Sequence, residues 1–101
     1  MSICDNISVG KNGHLYFAGQ DTVDLAKQYG TPLYLMDEDK IRENCRVYTA
    51  AFKKHFGPDS RPLYASKAAS FKRIYEIMRE EGMGCDVVSR GEIFTAGSAG
   101  F

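Results

Sequence analysis

The 101-residue chain carries 13 basic and 13 acidic side chains, a formal net charge of +0, and so offers no electrostatic footprint for nucleic acid or for an anionic membrane surface. With 44% hydrophobic and 26% charged residues it has the make-up of a soluble globular protein rather than a disordered one, and no apolar run approaches the roughly 20 residues that cross a bilayer. The opening MSICDNISVGKNGH has neither a basic n-region nor an apolar h-region, which predicts a cytoplasmic protein without a signal peptide.

In chain order, ISVGKNGHLYFAG holds two short apolar runs around Lys11-Asn12-Gly13, a hairpin pattern. DTVDLAKQYG reads as a short helix with Asp21 as N-cap and Gly30 closing it. TPLYLMD is a strand candidate. DEDKIRENCRVYTAAFKKHFG opens acidic and closes on Lys53, Lys54 and His55, as a helix dipole favours. Its Ile41, Cys45, Tyr48, Phe52 and Phe56 recur at steps of three and four, one helical face. After a loop at Pro58 and Asp59, RPLYASK is a second strand. SFKRIYEIMREEG then reads as a helix with Ser70 as N-cap and a stripe of Phe71, Ile74, Ile77 and Met78. MGCDVV is a third strand, and SRGEIFTAGSAG begins a helix with the Ser89-x-x-Glu92 spacing of a capping box.

Strands alternating with helices imply βαβ units and a parallel sheet. Parallel sheets need both faces covered, and a closed barrel of such units takes roughly 250 residues, so the chain is expected to be the front part of a larger domain. The expected division is 1–36 for the hairpin, helix and first strand, and 37–101 for the start of the barrel. Cys4, Cys45 and Cys85 are far apart and lack CxxC spacing, which speaks against a disulfide framework or a zinc site. His14 and His55 are isolated, so no metal centre is expected.

One stretch, YASKAAS at 64–70, sets Lys67 among Ala65, Ser66, Ala68 and Ala69, where no large side chain covers its amine. Alternation along a strand puts Leu63, Ala65 and Lys67 on one face, and Gly84, Asp86 and Val88 on one face of the next. In a barrel, Lys67 and Asp86 would then both point inward near the C-terminal strand ends, where barrel active sites lie. Two readings follow: a structural ion pair, which spacing alone favours, or a Schiff-base lysine with room beside it for a flat cofactor.

The segments YGTPLYLMDEDKIRENC, YASKAAS and EEGMGCDVVSRGEIFTAGSAGF, in this order and at this spacing, resemble the N-terminal portion of the diaminopimelate decarboxylase family. That resemblance implies the first βα units of an α/β, alanine-racemase-like (β/α)8 TIM barrel that binds pyridoxal 5'-phosphate, preceded by a β-hairpin and helix. It implies Lys67 as the cofactor-holding lysine, Ala65 as the small residue against the cofactor ring, and Asp86 as the acidic residue near the Schiff base. Ser89 and Glu92 match the family's S-x-G-E segment, where a capping box explains them better than catalysis does. Many members have asparagine where this chain has Ala69, and Gly97 inside the last helix should weaken it by roughly 1 kcal/mol relative to alanine.

The activity implied is decarboxylation of meso-2,6-diaminopimelate to L-lysine, a small-molecule amino-acid substrate, by a homodimeric intact enzyme with no nucleic-acid or membrane partner. The phosphate loop, stacking histidine and substrate-binding arginines of the family fall beyond Phe101, so these residues alone are expected to be inactive. The alternatives within the fold are ornithine, arginine or carboxynorspermidine decarboxylases, or a non-catalytic pyridoxal-phosphate-binding protein. A small α/β interaction module would leave YASKAAS unexplained.

Overall fold

The structure, a computed structural model, describes residues 4–101, which divide after Lys40 into two compact units. In the first unit, β1 (Ile7–Val9) and β2 (Leu15–Phe17) pair antiparallel, with Ile7 opposite Phe17 and Val9 opposite Leu15. Gly13, at φ 77°, takes the left-handed position in the connecting loop, which glycine adopts without a Cβ clash. A third strand, β3 (Gln20–Asp21), was not foreseen from the sequence. It folds back on β2 through Ala18 and Gly19, both at positive φ, the backbone shape of a two-residue hairpin turn.

Helix α1 (Thr22–Tyr29) starts at the expected cap: the Asp21 carboxylate accepts from the backbone N–H of Val23 and Asp24. Gly30, at φ 84° and ψ 178°, closes it in a backbone region reserved in practice for glycine. The expected strand over 31–37 pairs with no neighbour among the described residues, and Tyr34 is almost wholly exposed. A strand is defined by its ladder partner, and residues 31–37 have none among the described residues. Asp37 ends the segment; one of its carboxylate oxygens accepts from the Lys40 N–H, capping α2 (Glu38–Phe56), and the other from the Asn6 side-chain amide.

The second unit holds the parallel pair. β4 (Leu63–Ala65) and β5 (Gly84–Asp86) run side by side, with Leu63 against Gly84, Tyr64 against Cys85 and Ala65 against Asp86. Between them come a 3₁₀ turn (Ser66–Ala68) and α3 (Lys72–Glu80); α4 (Arg90–Ser98) follows β5. The core gathers Cys45 of α2, Ile74, Tyr75 and Met78 of α3, Met83, and Ala96 and Ala99 at the end of α4. Tyr64 and Cys85 pack against that core, whereas Leu63, Ala65 and Asp86 on the opposite strand face are exposed. Period-two alternation of side chains produces this division. On α2, the predicted stripe is covered at Ile41 and Cys45, while Tyr48 and Phe56 stay exposed.

Two local expectations are corrected here. β4 ends at Ala65, two residues before the predicted end, because the backbone turns into the 3₁₀ helix at Ser66. Ser70 does not cap α3: the helix starts after an extended Phe71 without a side-chain cap, and the Ser70 hydroxyl lies 2.7 Å from the Tyr75 hydroxyl instead.

Candidate active site

Lys67 sits in the middle of the 3₁₀ turn that leaves the C-terminal end of β4. Ala65 and Asp86 are the last residues of their strands and stand directly opposite each other. The structure therefore brings Ala65, Lys67 and Asp86 to the same end of the parallel pair. Alternation holds for Ala65 and Asp86, but does not govern Lys67, which belongs to a turn and not to the strand. All three are exposed.

Among the described residues, Lys67 and Asp86 form no ion pair with each other, and neither side chain has another charged partner within bridging distance. The structural ion pair that spacing favoured is not formed. What remains is an unpaired amine among small residues, at the same strand end as a carboxylate that is also unpaired.

The backbone that carries Lys67 is held firmly. Ser66 is completely buried; its Oγ is 2.8 Å from the Asp86 carbonyl oxygen and 2.5 Å from Glu92 Oε1. The Tyr64 hydroxyl donates to the Ala69 carbonyl at 2.9 Å, spanning the turn; burial pushes its phenol pKa upward. Ser89 caps α4 by accepting from the Glu92 N–H at 3.1 Å and donates its own hydroxyl to Glu92 Oε2 at 2.7 Å. The Ser66 hydroxyl, then that of Ser89, holds the Glu92 carboxyl below the usual range, against the opposing effect of burial and with smaller help from the Lys67 charge. Sequence reasoning found Ser89 and Glu92 as a cap but gave Ser66 no role, because its partners lie 20 and 26 residues away.

Also in this unit, Ile41, Asn44, Cys45, Tyr48, Tyr64, Ile74, Met78 and Met83 line an apolar cleft of about 240 Å³. It opens between helices α2 and α3, on the core side of β4. Among the described residues no cluster of metal-ligating side chains occurs, and no helix is long and apolar enough to cross a membrane.

A parallel strand pair with a helix between its strands, Lys67 in the turn after the first strand and Ala65 in register with Asp86 at the strand ends, defines an α/β protein. Comparison with known proteins names the class further. The chain belongs to the pyridoxal-dependent decarboxylase family: residues 38–101 match its pyridoxal binding domain. It is 47% identical over 96 residues to the diaminopimelate decarboxylase of Methanothermobacter thermautotrophicus, covering 95% of this chain and 22% of that one. It is 44% identical over 91 residues to that of Bacillus subtilis, covering 90% and 20%. A crystal structure of the Methanocaldococcus jannaschii diaminopimelate decarboxylase in complex with L-lysine superimposes with a TM-score of 0.78 at 32% identity, over 94% of this chain and 22% of that chain. The chain thus spans about a fifth of the length of these relatives.

Proposed function

We propose that this chain supplies the lysine-bearing portion of a pyridoxal-phosphate-dependent decarboxylase that removes one carboxylate from diaminopimelate and leaves lysine. The observation that carries the reading is the unpaired Lys67 amine at the end of β4, beside the in-register pair Ala65 and Asp86. Identities of 38–47% to diaminopimelate decarboxylases support that substrate over ornithine or arginine.

The residues present fit the cofactor. Lys67 offers a primary amine to an aldehyde, Ala65 and Ala68 leave open space next to it, and Asp86 offers an anion with no competing partner. Pyridoxal phosphate, when bound, supplies the electron sink that takes up the pair left behind as carbon dioxide departs. In this reading Lys67 Nζ is the group that would hold the cofactor. The Asp86 carboxylate keeps a proton at the Lys67 nitrogen by balancing its positive charge. Ala65 presents a flat, small surface to the ring. Residues 37–101 form the cofactor-binding portion and 1–36 a preceding segment, within a cytoplasmic, homodimeric enzyme.

The test is reductive trapping. The protein is incubated with pyridoxal phosphate at low concentration, reduced with borohydride and mapped by mass spectrometry, with Lys67→Ala as control. Label concentrated on Lys67 is the expected result. Label spread over surface lysines and unchanged in Lys67→Ala would overturn the cofactor assignment. Function is tested in a chimera in which residues 4–101 take the place of the equivalent part of the Methanocaldococcus jannaschii enzyme. The chimera should release carbon dioxide from diaminopimelate and its Lys67→Ala variant should not; a chimera no more active than that variant would overturn the reading.

A further inference from the structure

Glu92 stands where a capping box would place it, yet its carboxylate does something else. In a capping box the glutamate side chain returns to the backbone N–H of its own N-cap residue. Here Oε2 accepts the Ser89 hydroxyl and Oε1 faces the Ser66 hydroxyl, on the turn that carries Lys67. Ser66 has one proton and two acceptors, the Asp86 carbonyl at 2.8 Å and the Glu92 carboxylate at 2.5 Å. The shorter, charge-assisted contact takes it. Ser66 is wholly buried, so without Glu92 its hydroxyl falls back on the Asp86 carbonyl, and the tie between the turn and α4 through this side chain is lost. The 3₁₀ turn has no side-chain cap of its own at Ala65, so Ser66 at its start and the Tyr64–Ala69 bond at its end are its side-chain anchors.

We propose that Glu92 is a positioning residue for Lys67: through Ser66 it fixes the turn that carries the amine to the first turn of α4, and so sets how the amine meets its cofactor. This inference rests on the proposed cofactor role of Lys67 and adds a residue to it. Glu92 touches neither cofactor nor substrate in this account; it acts by tying Ser66 in place.

The experiment measures affinity for pyridoxal phosphate and the induced circular dichroism of the bound cofactor, alongside a urea midpoint for each variant. Free pyridoxal phosphate is achiral, so the induced band reports how rigidly the site orients it. Ser66→Ala, Glu92→Gln and the double variant form a cycle, with Ser89→Ala as the control that removes the cap of α4 while sparing Ser66. Either single change is expected to weaken cofactor binding roughly ten-fold, about 1.4 kcal/mol, and to shrink the induced band at saturation. The double variant should be no worse than the worse single. Ser89→Ala should lower the urea midpoint while keeping most of the band. If Ser66→Ala does not fold, Glu92→Asp replaces it, because its shorter arm keeps the charge but loses Ser66. Wild-type affinity and band retained in Glu92→Gln and Glu92→Asp, or effects that add in the cycle, would overturn the positioning role while leaving Lys67 as the cofactor lysine. A wild type that takes no label at Lys67 would overturn both.

Discussion

The Ser70–Tyr75 contact permits a direct test of where the start of α3 draws its stability. Tyr75 is completely buried and its hydroxyl lies 2.7 Å from Ser70 Oγ, whereas Ser70 itself is exposed. The two halves of this bond therefore differ in what happens when the other is removed. Ser70→Ala strands a buried phenol and should cost about 1–3 kcal/mol. Tyr75→Phe frees a surface hydroxyl that returns to water, and should cost only about 0.5–1.5 kcal/mol. In the Tyr75→Phe background a further Ser70→Ala should change stability by less than about 0.5 kcal/mol, since the serine then has nothing buried to satisfy. With a slope of roughly 1–2 kcal/mol per molar urea for a chain of this size, a loss of about 1.5 kcal/mol moves the midpoint by about 1 M. Urea titrations of the four proteins, followed by far-ultraviolet circular dichroism at matched slope, provide the measurement. A helix cap would instead cost about 1 kcal/mol in both backgrounds, and that equality would refute the assignment of the serine to Tyr75.

Four further perturbations probe other parts of the chain. Burial pushes the Asp21 carboxyl up, but hydrogen bonds from His14, Asn12 and the Val23 and Asp24 N–H groups outweigh it and hold it at about 2, below the usual 3.8. A depressed carboxylate adds stability above its unfolded value and loses it as pH falls toward the folded one. Stability should therefore decline between about pH 4 and pH 2, and an acid titration of Asp21→Asn should be flatter there; identical curves would dismiss the carboxylate. Gly30→Ala should destabilise by roughly 1–3 kcal/mol, because φ 84° with ψ 178° strains any side chain. Gly97→Ala, in an α-helix with open space around the added methyl, should stabilise by about 0.5–1 kcal/mol; thermal melts showing one sign for both would contradict this. Burial raises the Cys45 thiol pKa, with the Glu81 charge adding to it, and Cys45 is 3% exposed. Iodoacetamide should therefore modify Cys45 more slowly than Cys85 or Cys4, as read by mass spectrometry, and Cys45 reacting first would refute the packing around it.

What the sequence disclosed about the fold follows the reach of each signal. The cap at Asp21, the glycine at 30 and the cap at Ser89 are settled within four residues of chain, and the structure has all three. The hairpin around Lys11-Asn12-Gly13 and the parallel pair of β4 and β5 also stand, because apolar runs met partners inside the chain. β3 was hidden because two residues carry no periodicity, and its only cue was the Ala18-Gly19 turn, where alanine at φ 51° is an unusual choice. Residues 31–37 show the reverse failure: an apolar pattern with no ladder to join. Ser70 had the right residue type and spacing for a cap, but a tyrosine five residues on bound its hydroxyl instead.

The site was legible to the same depth. Alternation placed Ala65 and Asp86 on one face, and their register agrees; extended two residues further to Lys67 the rule lapses, because a 3₁₀ turn has a period near three. The end of the strand, rather than its face, is what brings Lys67 to the same end of the parallel pair as Asp86. The small residues around the lysine also divide in a way that composition does not announce. Ala65 and Ala68 are exposed and leave space, while Ser66, the residue between Ala65 and the lysine, is fully buried and committed to Glu92 and the Asp86 carbonyl. Alanine at 66 would look equivalent in a run of small residues, yet it would take from the Glu92 carboxylate its Ser66 partner and release the Lys67 turn from α4. In the role proposed for Lys67 the turn that presents the amine needs to be held at its first residue, and in this chain the group there is a buried hydroxyl rather than a bulky side chain.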